Sequence, residues 1–277
     1  MVKQLKLQNH SLELGKRTLI MGILNITPDS FSGDGIYEDP EKAVARALTM
    51  MKEGASIIDI GGESSRPGSQ PVNAKEELGR VIPVVKSLVE CNVPISVDTY
   101  KPEVAREVLK LGADMINDIT GLTNPKMKGL IADYEAGVVI MHMKGEPKTM
   151  QNNPIYEHGV MEEVKDFLAS QILMAEEAGI APESIVIDPG IGFGKTIDHN
   201  LEIIRKLASL KDLSKPIMVG TSRKSFIGKI LDLHVEQILE GTLATVVASV
   251  MNGADIVRVH DVPESNQALT ITDTLFR

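Results

Sequence analysis

The chain has 277 residues, 43% of them hydrophobic and 24% charged, which is enough to bury a large core in one or two domains. Aromatic residues make up only 3%, Trp is absent, and 29 Lys and Arg stand against 38 Asp and Glu for a net charge of -9. That balance argues against a base-stacking nucleic-acid surface and against a broadly basic face, so any bound phosphate must be held by a few local groups. The single cysteine, Cys91, can form no internal disulfide and no cysteine cluster for zinc. The first 14 residues alternate apolar with polar, unlike a secretory leader, and no apolar run approaches the roughly 18 residues of a membrane span. A cytoplasmic protein with neither membrane nor nucleic-acid partner is expected.

In chain order, residues 5–14 read as a small hairpin, followed by an apolar strand run at 19–26. Asp39-Pro40 is a helix cap with proline in the first turn, and Val44, Ala47, Leu48 and Met51 lie along one helical face. A strand run at 57–60 leads to a second helix opened by Asn73 with Glu76 three residues on, its apolar stripe formed by Leu78, Val81, Ile82, Val85, Leu88 and Val89. Further strand runs follow at 95–97, 115–119, 138–141, 185–187, 217–219 and 256–259, with helical periodicity between them. Residues 144–156, with Pro147 and Pro154, are the one long irregular stretch.

A short phrase recurs: Glu53-Gly54-Ala55-Ser56-Ile57-Ile58, Leu111-Gly112-Ala113-Asp114-Met115-Ile116 and Asn252-Gly253-Ala254-Asp255-Ile256-Val257. Each stops a helix with Gly at the left-handed position and starts a buried parallel strand. Eight strand-helix units in this length fit a closed (β/α)8 TIM barrel, for which about 250 residues is typical, with a short N-terminal β-hairpin at its bottom. Residues 1–277 read as a single domain.

Active sites of such barrels form where the strands end. The polar residues at these ends are Asn25, Glu63, Asp98, Asn117, His142, Asp188, then Ser222 with Arg223 and Lys224, and Arg258 with His260. Asp98 and Asp188 follow apolar runs and need partners, because an unpaired buried charge is costly. A Lys or Arg from a neighbouring strand would satisfy them, and so would a ligand rich in N–H donors; the sequence leaves both open. Asp118 reads as the structural member of the Asn117-Asp118 pair.

Residues 220–225 place hydroxyls, two cations and backbone N–H groups after the seventh strand, an anion site on physical grounds. Arg258 and His260 join it after the eighth strand, the alternative being a salt bridge and a satisfied surface histidine. Gly192-Phe193-Gly194-Lys195-Thr196 ends like a P-loop, but Pro189 stands where its first Gly belongs, and Lys195 stands where a dinucleotide fingerprint needs Gly. The glycines instead let the chain pass close to a flat ligand covered by Phe193. The loops at 25–35 and 61–68 read as lids that order on a substrate.

Taken together these motifs resemble the dihydropteroate synthase family, pterin-binding TIM barrels of folate biosynthesis. The resemblance runs from Met21-Gly22-Ile23-Leu24-Asn25 to Arg258-Val259-His260-Asp261-Val262. It includes Gly61-Gly62-Glu63-Ser64-Ser65-Arg66-Pro67-Gly68, Val97-Asp98-Thr99, Ile116-Asn117-Asp118, His142-Met143-Lys144-Gly145, Asp188-Pro189-Gly190-Ile191-Gly192-Phe193 and Ser222-Arg223-Lys224-Ser225. It implies a transferase that condenses 6-hydroxymethyl-7,8-dihydropterin diphosphate with p-aminobenzoate, using Mg2+, in a cytoplasmic homodimer.

By motif position, the resemblance implies that Asp98, Asn117, Asp188 and Lys224 read the pterin edge while Met141 and Phe193 line its faces. Asn25 is implied as the metal-linked residue, and Asn25, Asp98 and Lys224 as the catalytic groups. Ser65, Arg258 and His260 would bind diphosphate, Phe31, Pro67, Lys224 and Ser225 would shape the p-aminobenzoate pocket that sulfonamides also occupy, and Arg66 would shield the site. Two departures stand out: the family's Phe-Ser-Asp-Gly-Gly is here Phe31-Ser32-Gly33-Asp34-Gly35, and its Ser-Thr-Arg-Pro is Ser64-Ser65-Arg66-Pro67. The alternatives are a methyltetrahydrofolate methyltransferase-type barrel, which has no need of a diphosphate corner, and a non-catalytic pterin-binding paralogue.

Overall fold

The computed structural model describes residues 3–27, 39–64, 69–146 and 149–277. A two-stranded antiparallel hairpin, β1 (Lys3–Lys6) and β2 (Ser11–Leu14), precedes eight parallel strands. These are β3 (Leu19–Asn25), β4 (Ile57–Gly61), β5 (Ile95–Asp98), β6 (Met115–Asp118), β7 (Gly137–Met141), β8 (Ile185–Asp188), β9 (Met218–Val219) and β10 (Ile256–Val259). The hydrogen-bonded order runs from β8 down to β3, then β10 and β9. A parallel bridge between Ile187 and Ile217 joins the two ends, so the sheet closes into a barrel. The expected strand runs match these strands to within two residues at either end.

The helices around it are α1 (Pro40–Lys52), α2 (Ala74–Glu90), α3 (Pro102–Leu111), α4 (Pro125–Asp133), α5 (Val160–Glu177), α6 (Ile197–Lys206), α7 (Ser225–Leu231), α8 (Leu239–Met251) and α9 (Val262–Phe276). Their starts follow the cap residues: Asp39 accepts from the amides of Glu41 and Lys42, and Asn73 Oδ1 accepts from Glu76 N at 3.0 Å. Gly54, Gly112 and Gly253 have φ of 113°, 106° and 108°, the left-handed turn that lets each helix stop and the next strand begin. None of the helices is long and apolar enough to cross a membrane.

Period-two alternation divides the apolar residues into two layers. Ile20, Leu24, Ile58, Ile60, Val97 and their like face the helices. Leu19, Met21, Ile57, Met115, Val139, Val186, Met218 and Ile256 face inward, where Leu5, Leu7 and Leu14 of the hairpin segment pack against them. The hairpin packs against the bottom as expected, so the barrel interior is a packed core and, among the described residues, a polar cavity opens at the upper mouth.

Candidate active site

The C-terminal strand ends bring Asn25, Asp98, Asn117, Met141, Asp188 and Arg258 onto one cavity of about 130 Å³. Phe193, Ser222, Lys224 and His260 complete it from the loops after β8, β9 and β10. Gathering follows from topology, since each parallel strand delivers its last inward-facing residues to the same end.

The floor of this cavity is organised by a residue that sequence reading missed. Asp59, in the middle of β4, has no exposed surface. Its Oδ2 accepts from Arg258 Nε at 2.6 Å and from Asn117 Nδ2 at 3.1 Å, while Arg258 Nη2 donates to Asp98 Oδ2 at 2.9 Å. Arg258 thus reaches from β10 over β3 to carboxylates on β4 and β5. The available signal was a lone carboxylate inside the apolar run Ile57-Ile58-Asp59-Ile60, which only a buried cation or donor could satisfy.

Of the two readings left open for the aspartates, the neighbouring-strand cation holds for Asp98. Asp188 differs: its Oδ1 accepts from Gly190 N at 2.6 Å, and among the described residues it takes part in no ion pair. Burial pushes the Asp98 carboxyl up to about 7, against the pull of Arg258 and with the help of Asp59. Burial likewise raises Asp188, and it lowers the Lys224 amine to about 8 with Arg258 adding to the shift. Lys224 Nζ stands 4.2 Å from the centre of the Phe193 ring, where the ring's negative face meets the cation.

On the same side of the mouth, Ser222 Oγ accepts from the His260 amide at 3.2 Å and lies 3.0 Å from His260 Nδ1. Arg223, one of the two cations expected to face an anion, is turned to Asp261, with Nε 3.0 Å from Oδ2 and Nη2 2.5 Å from Oδ1. Ser225 is the exposed first residue of α7 and is absent from the cavity lining. Asp118 is the structural member of its pair: its Oδ1 caps Thr120 N at 2.8 Å and Thr120 Oγ1 at 2.7 Å.

His142 does not belong to the ring of strand-end groups. Val139 and Met141 point into the barrel, so the alternation sends His142 outward, where it is buried edge-on to Phe167 with ring centres 5.1 Å apart. Glu63 does line the mouth but is held from behind by Tyr100, whose hydroxyl donates to it at 2.9 Å, and by Lys101, which also pairs with buried Glu77. Phe31, Ser65, Arg66, Pro67 and the Gly33-Asp34 departure lie outside the described residues.

The chain's residues 21–260 match the family model described as pterin binding enzyme. A dihydropteroate synthase of Synechocystis sp. is 48% identical over 266 residues, covering 95% of this chain and 92% of that protein. The crystal structure of the Clostridium difficile dihydropteroate synthase in the presence of pteroic acid has a TM-score of 0.89 at 49% identity, over 96% of this chain and 99% of the other. That of the Thermus thermophilus enzyme in complex with 4-aminobenzoate also has a TM-score of 0.89, at 40% identity over 99% and 100% of the two chains. With identity of this extent laid over the same barrel and the same polar mouth, the chain belongs to the pterin binding enzymes and, within them, to the dihydropteroate synthase family.

Proposed function

We propose that this chain is a transferase that joins 6-hydroxymethyl-7,8-dihydropterin diphosphate to p-aminobenzoate, giving 7,8-dihydropteroate and diphosphate, with residues 1–277 acting as one pterin-binding domain in the cytoplasm. The observation that carries this reading is the convergence of Asp98, Asn117 and Asp188 on one small cavity walled by Met141 and Phe193. Acceptors on one side suit the donor-rich edge of an aminopyrimidine ring, and the flat apolar walls suit its faces. Lys224 supplies the complementary donor. Ser222 and His260 are assigned to the diphosphate, with Ser65 by motif position; Arg258, ion-paired to Asp59 and Asp98, adds positive potential to the same corner. By motif position Phe31 and Pro67 are assigned to the amine pocket, with Ser225 at the exposed start of α7 just outside this cavity, and Arg66 to its shielding.

Mg2+ fits the donor set in a particular way. Among the described residues no cluster of three or more His, Cys, Asp or Glu is present to cage a metal, while Asn25 offers one amide oxygen at the cavity wall. Such a site suits an ion that keeps most of its water and is brought in on a diphosphate. When bound, magnesium would neutralise charge on the leaving group. The protein's own part is to hold the pterin through Asp98, Asn117 and Asp188, to orient the diphosphate at Ser222 and His260, and to exclude water. The C–O bond breaks with its electron pair leaving on diphosphate, the amine nitrogen bonds to the pterin methyl carbon, and the proton it loses passes to solvent.

A second copy of the chain is the partner we assign to the face where α7, α8 and α9 stand side by side. Ile230, Leu231, Met251, Ile271, Leu275 and Phe276 are exposed on these three helices, and apolar residues gathered on adjoining helices are the kind of surface a second copy would cover. Light scattering is expected to give twice the chain mass. The functional reading is tested by titrating the protein with the pterin diphosphate in magnesium: saturable binding that weakens in Asp98→Asn supports it, and unaltered binding in that variant contradicts the site.

A further inference from the structure

The loop after β8 holds Phe193 at the cavity edge, yet it is built from residues that prefer no particular shape. Gly190, Gly192 and Gly194 all have left-handed φ, at 71°, 83° and 65°. The loop also lies flush on the segment after β7: a Cβ at Gly190 would stand 1.9 Å from the carbonyl oxygen of His142, and one at Gly194 would stand 2.2 Å from that of Lys144. Something other than local preference must keep it there.

Lys195 supplies that hold. The residue is only 3% exposed and is not part of the cavity lining. Its Nζ lies 3.0 Å from the carbonyl oxygen of Phe193, 3.0 Å from His142 Nδ1 and 3.4 Å from the carbonyl oxygen of His142. Three acceptors match the three N–H bonds of an ammonium, and they belong to two different strand ends. A lysine donor requires His142 Nδ1 to accept, which puts the imidazole proton on Nε2; burial and the lysine charge together lower the basicity of this histidine to about 2. Burial also pushes the Lys195 amine down to about 7, so the hold comes from its N–H donors, which the amine keeps in either charge state, and not from a permanent charge.

We propose that Lys195 is a positioning residue of this enzyme: by tying the Phe193 carbonyl to His142 across two strand ends, it sets the Phe193 ring as the rigid wall on which the pterin ring lies. The claim that a pterin lies there rests on the functional reading above; the claim that Lys195 orders Phe193 does not.

The chain has five phenylalanines, so protein labelled with 4-fluorophenylalanine gives one fluorine resonance for each. In Lys195→Met the Phe193 resonance is expected to shift or broaden, while those of Phe226 and Phe276, in α7 and α9, stay in place. The dissociation constant of the pterin and the KM for its diphosphate should rise on the order of tenfold, as for loss of buried hydrogen bonds, with the KM for p-aminobenzoate within about twofold. An unmoved Phe193 resonance overturns the proposal, as does unchanged pterin affinity or an equal disturbance at all the phenylalanines. If Lys195→Met does not fold, the test passes to His142→Leu, which removes the acceptor, and His142→Asn, which keeps one; matching pterin affinity in these two variants is then the contradicting result. Should the wild-type protein bind no pterin, the functional reading fails, and the fluorine spectra alone decide whether Lys195 orders Phe193.

Discussion

Arg258 Nε lies 2.6 Å from Oδ2 of Asp59, a carboxylate with no exposed surface, and this pair anchors the polar mouth of the barrel. Through Arg258 it positions Asp98, and through its second bond it positions Asn117. Removing one partner of a buried pair costs about 3–5 kcal/mol when the other charge is left uncompensated, and because Arg258 keeps Asp98 the loss here falls toward the lower end of that range. Asp59→Ala is therefore expected to lose stability of that order in urea denaturation and, in the fraction that folds, to bind the pterin more weakly than wild type. A loss below about 1 kcal/mol, the range of exposed pairs, would contradict this assignment.

The Asp98 carboxyl, raised to about 7 by burial against the pull of Arg258, sets the acid limb of the pH dependence of binding. As a carboxylate it accepts N–H groups from the pterin; protonated, it loses an acceptor. Affinity should thus fall as pH drops through 7, approaching about tenfold per unit well below it, because binding must release one proton, and weaken again above about 8 as the Lys224 donor loses its charge. Calorimetric titration between pH 5.5 and 8.5 checks the sign. Asp98→Asn, which cannot ionise, should bind weakly and lose the fall in affinity below pH 7.

In the proposed function Ser222 and His260 are assigned to the diphosphate and not to the ring. Ser222→Ala removes a hydroxyl that bonds both the His260 amide and its Nδ1. Loss of one or two such bonds corresponds to roughly threefold to tenfold in affinity. The dissociation constant for inorganic diphosphate should rise by that factor while that of the unphosphorylated pterin stays put. Equal weakening of both ligands would mean that the corner supports the whole site.

Magnesium removal separates the leaving group from the ring in another way. If Asn25 holds the metal as proposed, chelation by EDTA should abolish turnover and leave binding of the unphosphorylated pterin intact. Asn25→Ala should raise the magnesium concentration needed for half-maximal rate by roughly tenfold, as for loss of a single metal ligand or its support. A rate unaffected by EDTA contradicts the role given to Asn25.

Much of this site was legible because the barrel turns local sequence into position. Gly54, Gly112 and Gly253 marked the helix stops, and the apolar runs after them marked the strands, so Asp98, Asn117 and Asp188 could be placed at one mouth from the order of residues alone. What escaped depended on which way a side chain faces across the barrel. His142 sits one residue past Met141, and that single step of alternation takes it out of the mouth and onto Phe167. Asp59 lies inside a strand, with its partner Arg258 199 residues away, and no local pattern announces a pair so distant. Arg223 and Lys224 are adjacent in the chain, yet one turns to Asp261 and the other to Phe193.

In the proposed function this mouth couples departure of diphosphate to capture by an aromatic amine. Diphosphate release is measured from purified protein in magnesium with the pterin diphosphate alone, with p-aminobenzoate alone, and with both. Sustained release is expected only with both substrates, at a rate matching 7,8-dihydropteroate formation and lost on chelation. Tight pterin binding with no release in the complete mixture, or release that ignores p-aminobenzoate, would contradict the account.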